Sequence, residues 1–140
     1  MGMLANLIKQ YFDTEDLNYR ESVDNDGDVC LRLSFSAKNK PSVEVLLILD
    51  EEQKTLSLRS FDFCSVTEDK KQGIYKLCSD MNHKFKWVKF YLDENDNTVT
   101  LEDDAILAPE NAGAEAMELM LRMVAIADTA YPFFMKYLWA

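Results

Sequence analysis

The chain has 140 residues, 48% of them hydrophobic, with four glycines and three prolines, so residues 1–140 read as one domain with its own core rather than as a disordered segment. A net charge of −10, with no basic cluster legible along the chain, makes nucleic acid and anionic membrane poor partners, and an acidic surface that keeps a small protein soluble is the simpler reading. The three cysteines, Cys30, Cys64 and Cys78, form no Cys-x-x-Cys pair, and no secretory signal or apolar run long enough to span a bilayer occurs, which excludes a zinc ribbon and points to a reducing cytoplasm.

Leu4, Leu7, Ile8, Tyr11 and Phe12 recur at helical spacing and predict a short amphipathic helix. Alternation takes over after the polar run 13–16. Leu17, Tyr19 and Val23 predict a first strand over 17–23, and Val29, Leu31, Leu33 and Phe35 predict a second. Between them, "ESVDNDGDVCLRL" packs three aspartates, an asparagine and a glycine. A two-residue Asp26-Gly27 turn would scatter the apolar residues over both faces. A three-residue loop, Asn25-Asp26-Gly27, instead pairs Val23 with Val29 and places Gly27 where a hairpin bulge needs a left-handed residue. That register leaves one misfit, Glu21 opposite Leu31. Calcium loops want glycine at position six and glutamate at twelve. Counting from Asp24, those places hold Val29 and Phe35, so this run is read as a hairpin.

The meander continues through Val43, Val45, Leu47 and Leu49, with Phe35 expected opposite Val43, and through Leu56 and Leu58 opposite Leu49 and Leu47. Leu46 and Ile48 point the other way, which predicts a central strand covered on both faces. Ser65-Val66-Thr67-Glu68 has the pattern of a capping box and predicts a helix carrying Ile74, Leu77, Cys78, Met81 and Phe85 on its buried stripe. A third hairpin follows, with Val88, Phe90 and Leu92 facing Val99 and Leu101 across a four-residue loop 94–97. Asp93, Asn95, Asn97 and Asp104 match calcium positions one, three, five and twelve, but position six is Thr98, and the alternation is that of a hairpin.

A long helix is predicted over 109–138, kinked or broken at Pro132. Met117, Met120, Leu121, Val124, Tyr131, Phe134 and Leu138 form one apolar stripe. Leu119, Met123, Ile126, Phe133 and Tyr137 form a second. A helix lying on one sheet needs one stripe, so the second is assigned either to the amino-terminal helix or to a partner surface, and these five residues are the candidate interface of a homodimer. Methionines suit such adaptable surfaces, and Met117, Met120, Met123 and Met135 all fall here.

Catalysis needs a nucleophile beside a base or paired carboxylates in a cleft. The only histidine, His83, sits at a predicted helix end, Glu102-Asp103-Asp104 reads as a charged strand end, and the cysteines occupy places where small apolar residues would serve. No catalytic residue and no cofactor is therefore assigned.

The order of elements resembles the small acidic chaperones of type III secretion systems. The stretches "FKWVKFYLDENDNTVTLEDDAIL" and "ELMLRMVAIADTAYPFFMKYL" are similar to the YbjN family, bacterial sensory-transduction regulators with a secretion-chaperone-like fold. Trp87 and Phe90 entering a hairpin, the 93–97 turn and Ala130-Tyr131-Pro132 in the last helix carry the likeness, which is firm over residues 82–138. It implies a fold and no catalytic residues. One departure stands out: four strands precede the second helix here, where the chaperone pattern has three. The expectation is thus an α+β fold, a twisted antiparallel sheet with an amino-terminal, a middle and a long carboxy-terminal helix. Its expected role is that of a non-enzymatic cytoplasmic binding or adaptor module, chaperone-like or regulatory. It would act as a homodimer on a protein partner, without nucleic acid or membrane. The alternative is a small enzyme or calcium-binding domain built on the acidic turns.

Overall fold

The computed structural model describes residues 2–140. In chain order the elements are α1 (Met3–Thr14), β1 (Arg20–Val23), β2 (Val29–Ser36), β3 (Ser42–Asp50), β4 (Thr55–Ser60), α2 (Lys71–Lys84), β5 (Lys89–Asp93), β6 (Thr98–Ile106) and α3 (Ala112–Leu138). The strands form one sheet in the order β1-β2-β3-β4-β6-β5, antiparallel throughout. This is the α+β architecture expected, and the first strand joins the main sheet at its edge, though it begins at Arg20 rather than Leu17.

The registers follow from which alternate residues must be buried. Val23 faces Val29, Phe35 faces Val43, Leu49 faces Leu56 and Leu92 faces Val99. A one-residue slip in any pair would turn the aliphatic set to solvent. In the first hairpin Asp24 N–H donates to Asp28 O at 3.0 Å, and Gly27 adopts φ +85°. The misfit Glu21 lies opposite Leu31 on the core face, at the exposed edge, where the Lys9 Nζ of α1 reaches it at 3.0 Å. Helix and hairpin are tied by that pair.

All three helices gather on the face of Leu31, Leu47, Leu58 and Leu101, each essentially inaccessible. The helices therefore cover one face only. Leu46 and Ile48 are half-buried among Arg32, Glu44, Ser57 and Arg59, not under a second layer as their apolar character suggested. At the far edge α2 shields β5: Asn82 accepts from Phe90 N–H at 2.6 Å and donates to Phe90 O at 3.0 Å, replacing the strand partner that edge lacks.

α3 rests on the sheet through Ala116, Met120, Met123, Ala127, Ala130 and Phe134, all fully buried. Their spacing alternates between four and three residues, a seam running between the two stripes of large side chains. The alanines let the helix axis come close to the strands. Near its start, Gly113 packs against α1 so tightly that a Cβ there would overlap the Tyr11 Cβ. Farther along, Phe134 stacks on Phe90 at 5.6 Å between centroids, and Phe63 meets Phe90, Tyr131 and Phe134 edge-on.

Two expected punctuation marks act differently. Ser65 caps no helix. It forms a bridge with Thr98, and α2 begins only after a 3₁₀ turn, Glu68–Lys70. Pro132 does not break α3, which runs unbroken from Ala112 to Leu138. Proline lacks an N–H, so the Asp128 carbonyl loses its helical donor. Asn39 supplies another, its Nδ2 donating to Asp128 O at 3.2 Å. In return the Asp128 carboxylate accepts the Asn39 and Lys40 N–H groups at 2.6 and 2.9 Å, which docks the β2–β3 loop on the helix. These N–H groups, that of Lys40 foremost, hold the Asp128 carboxyl below its usual range. The amino end of α1 is also capped from far along the chain, by Glu51 accepting Leu4 N–H and Ala5 N–H at 2.9 Å each.

One charged side chain sits inside. Asp103 shares the core face with its cross-strand neighbour Leu58, is 7% exposed, and its Oδ2 has no hydrogen-bond partner. Burial raises its pKa above 3.8 and the charge of Asp104 adds to this, while a hydrogen bond from the Asp104 backbone N–H and the charges of Arg59 and Lys89 offset part of it.

Two stability measurements follow. No heavy atom lies within 4 Å of the place a Gly27 Cβ would take, so any cost there is backbone strain alone. Gly27→Val should lose about 1 kcal/mol or more in denaturant unfolding and Gly27→Asn much less, and equal stability of Val and wild type would contradict the register. For Asp103 the folded carboxyl titrates above its unfolded value, so its penalty is absent below pH 3.8 and grows as pH rises through the folded pKa. Asp103→Asn should therefore unfold about 1–3 kcal/mol later at pH 7, with the advantage shrinking toward pH 4. A pH-independent difference would mean the carboxyl is not charged in the core.

Candidate docking surface

The groups with chemical potential are mostly committed to structure. Burial pushes the Cys64 and Cys78 thiols up to about 12 and also raises Cys30, so none is a thiolate near neutral pH. His83 is exposed in the last turn of α2. In the β5–β6 turn, Asp93 Oδ1 accepts Asn95 N–H at 2.9 Å and Asp96 Oδ1 accepts Thr98 N–H at 3.1 Å, while Asn97 takes φ +58°. Asp104, the twelfth position of the calcium pattern, lies on the open face of the sheet and pairs with Arg59 at 3.0 Å. The first acidic run is more compact than its spacing implied: carboxylate oxygens of Asp24, Asp26 and Asp28 lie within 4.8 Å of one another. Asp24 Oδ1, however, accepts the N–H groups of Asp26 and Asp28 at 3.0 and 2.9 Å, which is how the hairpin loop holds its shape.

The five residues assigned to an interface on α3 separate. Met123 is in the core, buried within the chain. Leu119, Ile126 and Tyr137 are half-buried against that core, and Phe133 is 45% exposed. The correction for Met123 is geometric. The alanine seam, not the largest side chains, decides which face turns inward, and it rotates Met123 onto the sheet while leaving Leu121 outside, 44% exposed. Leu121 lies in a groove between the helices, walled by Tyr11, Met117 and Ala125 with Glu118 and Arg122 at its rim.

A second surface was not anticipated. Between α2 and β5 the chain reads "HKFKWVK" (residues 83–89), a basic and aromatic run in an acidic protein. Trp87 is 54% exposed and held at φ +74°, a left-handed conformation that costs a bulky residue on the order of 1–3 kcal/mol. The fold lays this run along α3. Arg122 places its guanidinium 5.8 Å from the Trp87 ring, and Lys84 Nζ lies 4.7 Å from the ring of Phe133. Lys89 bonds the Asn82 and Phe85 carbonyls at 3.0 and 3.1 Å, closing the end of α2. Among the described residues neither Lys84 nor Lys86 has a carboxylate within 4.0 Å, and Arg122 has only Glu118, at 3.8 Å. The lysine spacing was visible in the sequence. Arg122 and Phe133, supplied from more than thirty residues away, were not.

This arrangement offers aromatic faces and cations on rigid elements, a surface chemistry suited to binding. Among the described residues no helix is long and apolar enough to cross a membrane.

A comparison with curated proteins finds no match. The crystal structure of YbjN from E. coli is similar over 92% of each chain, with a TM-score of 0.64 at 14% identity, a likeness of fold. The family model described as "Putative bacterial sensory transduction regulator" matches residues 4–135, nearly the whole chain. With the whole sheet and nearly all of the three helices inside that span, the chain belongs to the YbjN family.

Proposed function

We propose that this protein is a non-enzymatic regulatory module of a bacterial cytoplasm, working by protein–protein contact and associating with a second copy through the outward face of α3. The observation that carries this reading is the exposed Leu121 at the centre of the Tyr11–Met117–Ala125 groove, on the longest helix of the fold. α1 has 12 residues and α3 has 27, so at 1.5 Å per residue they span about 18 and 40 Å, and α1 covers only part of its neighbour. The groove is self-complementary. Glu118 and Arg122 stand one turn apart on either side of Leu121, so an antiparallel pairing about a two-fold axis there brings each glutamate toward the other copy's arginine while the leucines meet. Regulation agrees with the family's description, and the surface chemistry supplies recognition rather than turnover.

Light scattering tests it directly. At roughly tens of micromolar the wild type should be a dimer and Leu121→Glu a folded monomer with a cooperative thermal transition that no longer depends on protein concentration. A wild-type monomer at that concentration sinks the self-association reading. Met123→Glu serves as the contrast: placed in the core, it should lower stability rather than simply split a dimer.

A further inference from the structure

The Trp87–Arg122–Lys84–Phe133 surface shares Arg122 with the Leu121 groove but differs from it in chemistry, because it gathers cations around exposed aromatic rings. We infer that it docks an acidic segment of a partner protein, a short stretch in which aspartates or glutamates flank an aromatic or large aliphatic residue. The inference rests on the reading of this chain as a protein-binding module and specifies its partner.

Three observations converge. Trp87 is more than half exposed yet kept in a backbone conformation that glycine or asparagine would adopt more easily, so the ring's position is maintained against its local preference. Lys84 and Arg122 lie on aromatic faces, at 4.7 and 5.8 Å, and only Arg122 has a carboxylate nearby, Glu118 at 3.8 Å, which leaves positive charge for an outside anion. The surface also has a defined length: Arg122 and Phe133 are eleven residues apart on one helix, about 16 Å, or roughly five residues of extended peptide. Lys89, whose Nζ bonds the last carbonyls of α2, and Lys84, in that helix's last turn, also complement its carboxyl end, but Arg122 on α3 does not.

Charge decides between a peptide and a polyanion. The net charge is −10, so a nucleic acid long enough to bind well would run off this patch onto acidic surface. A short acidic segment stays within a Debye length, about 8 Å at physiological salt, of the local cations and is held by them. Its apolar residue takes the ring faces, and Lys86 widens the positive rim.

The test uses the full chain and defined probes. A fluorescent synthetic peptide of glutamates flanking phenylalanine and leucine is titrated against it, beside a glutamate-only peptide, a lysine-for-glutamate version and a single-stranded DNA oligonucleotide. The first peptide should bind saturably and weaken with salt. Lys84→Glu combined with Arg122→Glu should reduce its affinity about tenfold or more and gain the lysine version, and Trp87→Ala should also weaken it. Thermal melts confirm that the variants fold. No binding of the first peptide, equal binding by the charge-reversed variant, or equal affinity for the glutamate-only peptide would each overturn the inference. Tighter binding of the oligonucleotide would overturn it in favour of nucleic acid. Lys84→Glu alone, outside the Leu121 groove, should weaken peptide binding and leave self-association unchanged, so failure of self-association and failure of this site give different results.

Discussion

Everything in this fold depends on how closely α3 can approach the sheet. Ala116, Ala127 and Ala130 at the contact allow Met120, Met123 and Phe134 to fill the space between helix and strands without holding the helix away. That close seating fixes the rotation of α3 about its axis. It presses Gly113 against Tyr11 of α1 and seats Phe134 on Phe90 of β5. A bulkier residue at any alanine of the seam would lift the helix and loosen α1 and the aromatic cluster together.

The helices are then secured by groups that come from far along the chain. Glu51, in the β3–β4 turn, satisfies the first N–H groups of α1, and Asn39, in the β2–β3 loop, satisfies the carbonyl that Pro132 leaves free. Each exchange solves two problems at once, an orphaned helix group and a loop that needs anchoring. The proline is tolerated because its cost has a local remedy. This gives the β2–β3 loop and the carboxy-terminal third of α3 a single fixed relation, with Lys40 also lying over the Tyr131 ring at 5.6 Å.

The same rotation of α3 creates the surfaces that face outward. Leu121 and Phe133 project because the seam occupies the other side, and Arg122 comes to lie over Trp87 because residues 84–88 pass along the helix on their way from α2 to β5. An acidic protein thus presents one basic, aromatic strip on a rigid support.

Local rules in the sequence determined most of the sheet. Alternation has a period of two and tolerates no slip, so the pairings Val23–Val29, Phe35–Val43, Leu49–Leu56 and Leu92–Val99 were legible from apolar residues and turn lengths alone, as was the left-handed Gly27. The faces of the helices were not. Reading α3 by its large side chains gave two stripes and put Met123 outside, because alanine carries too little apolar area to mark a face and yet, at a close contact, decides it. Which face of β3 lies open, the rescue of Pro132 by Asn39, the fate of Ser65 and the meeting of Trp87 with Arg122 were likewise settled only by tertiary structure. Each joins residues distant in the chain, and no periodicity records which distant groups will satisfy a backbone donor or lay a cation on a ring.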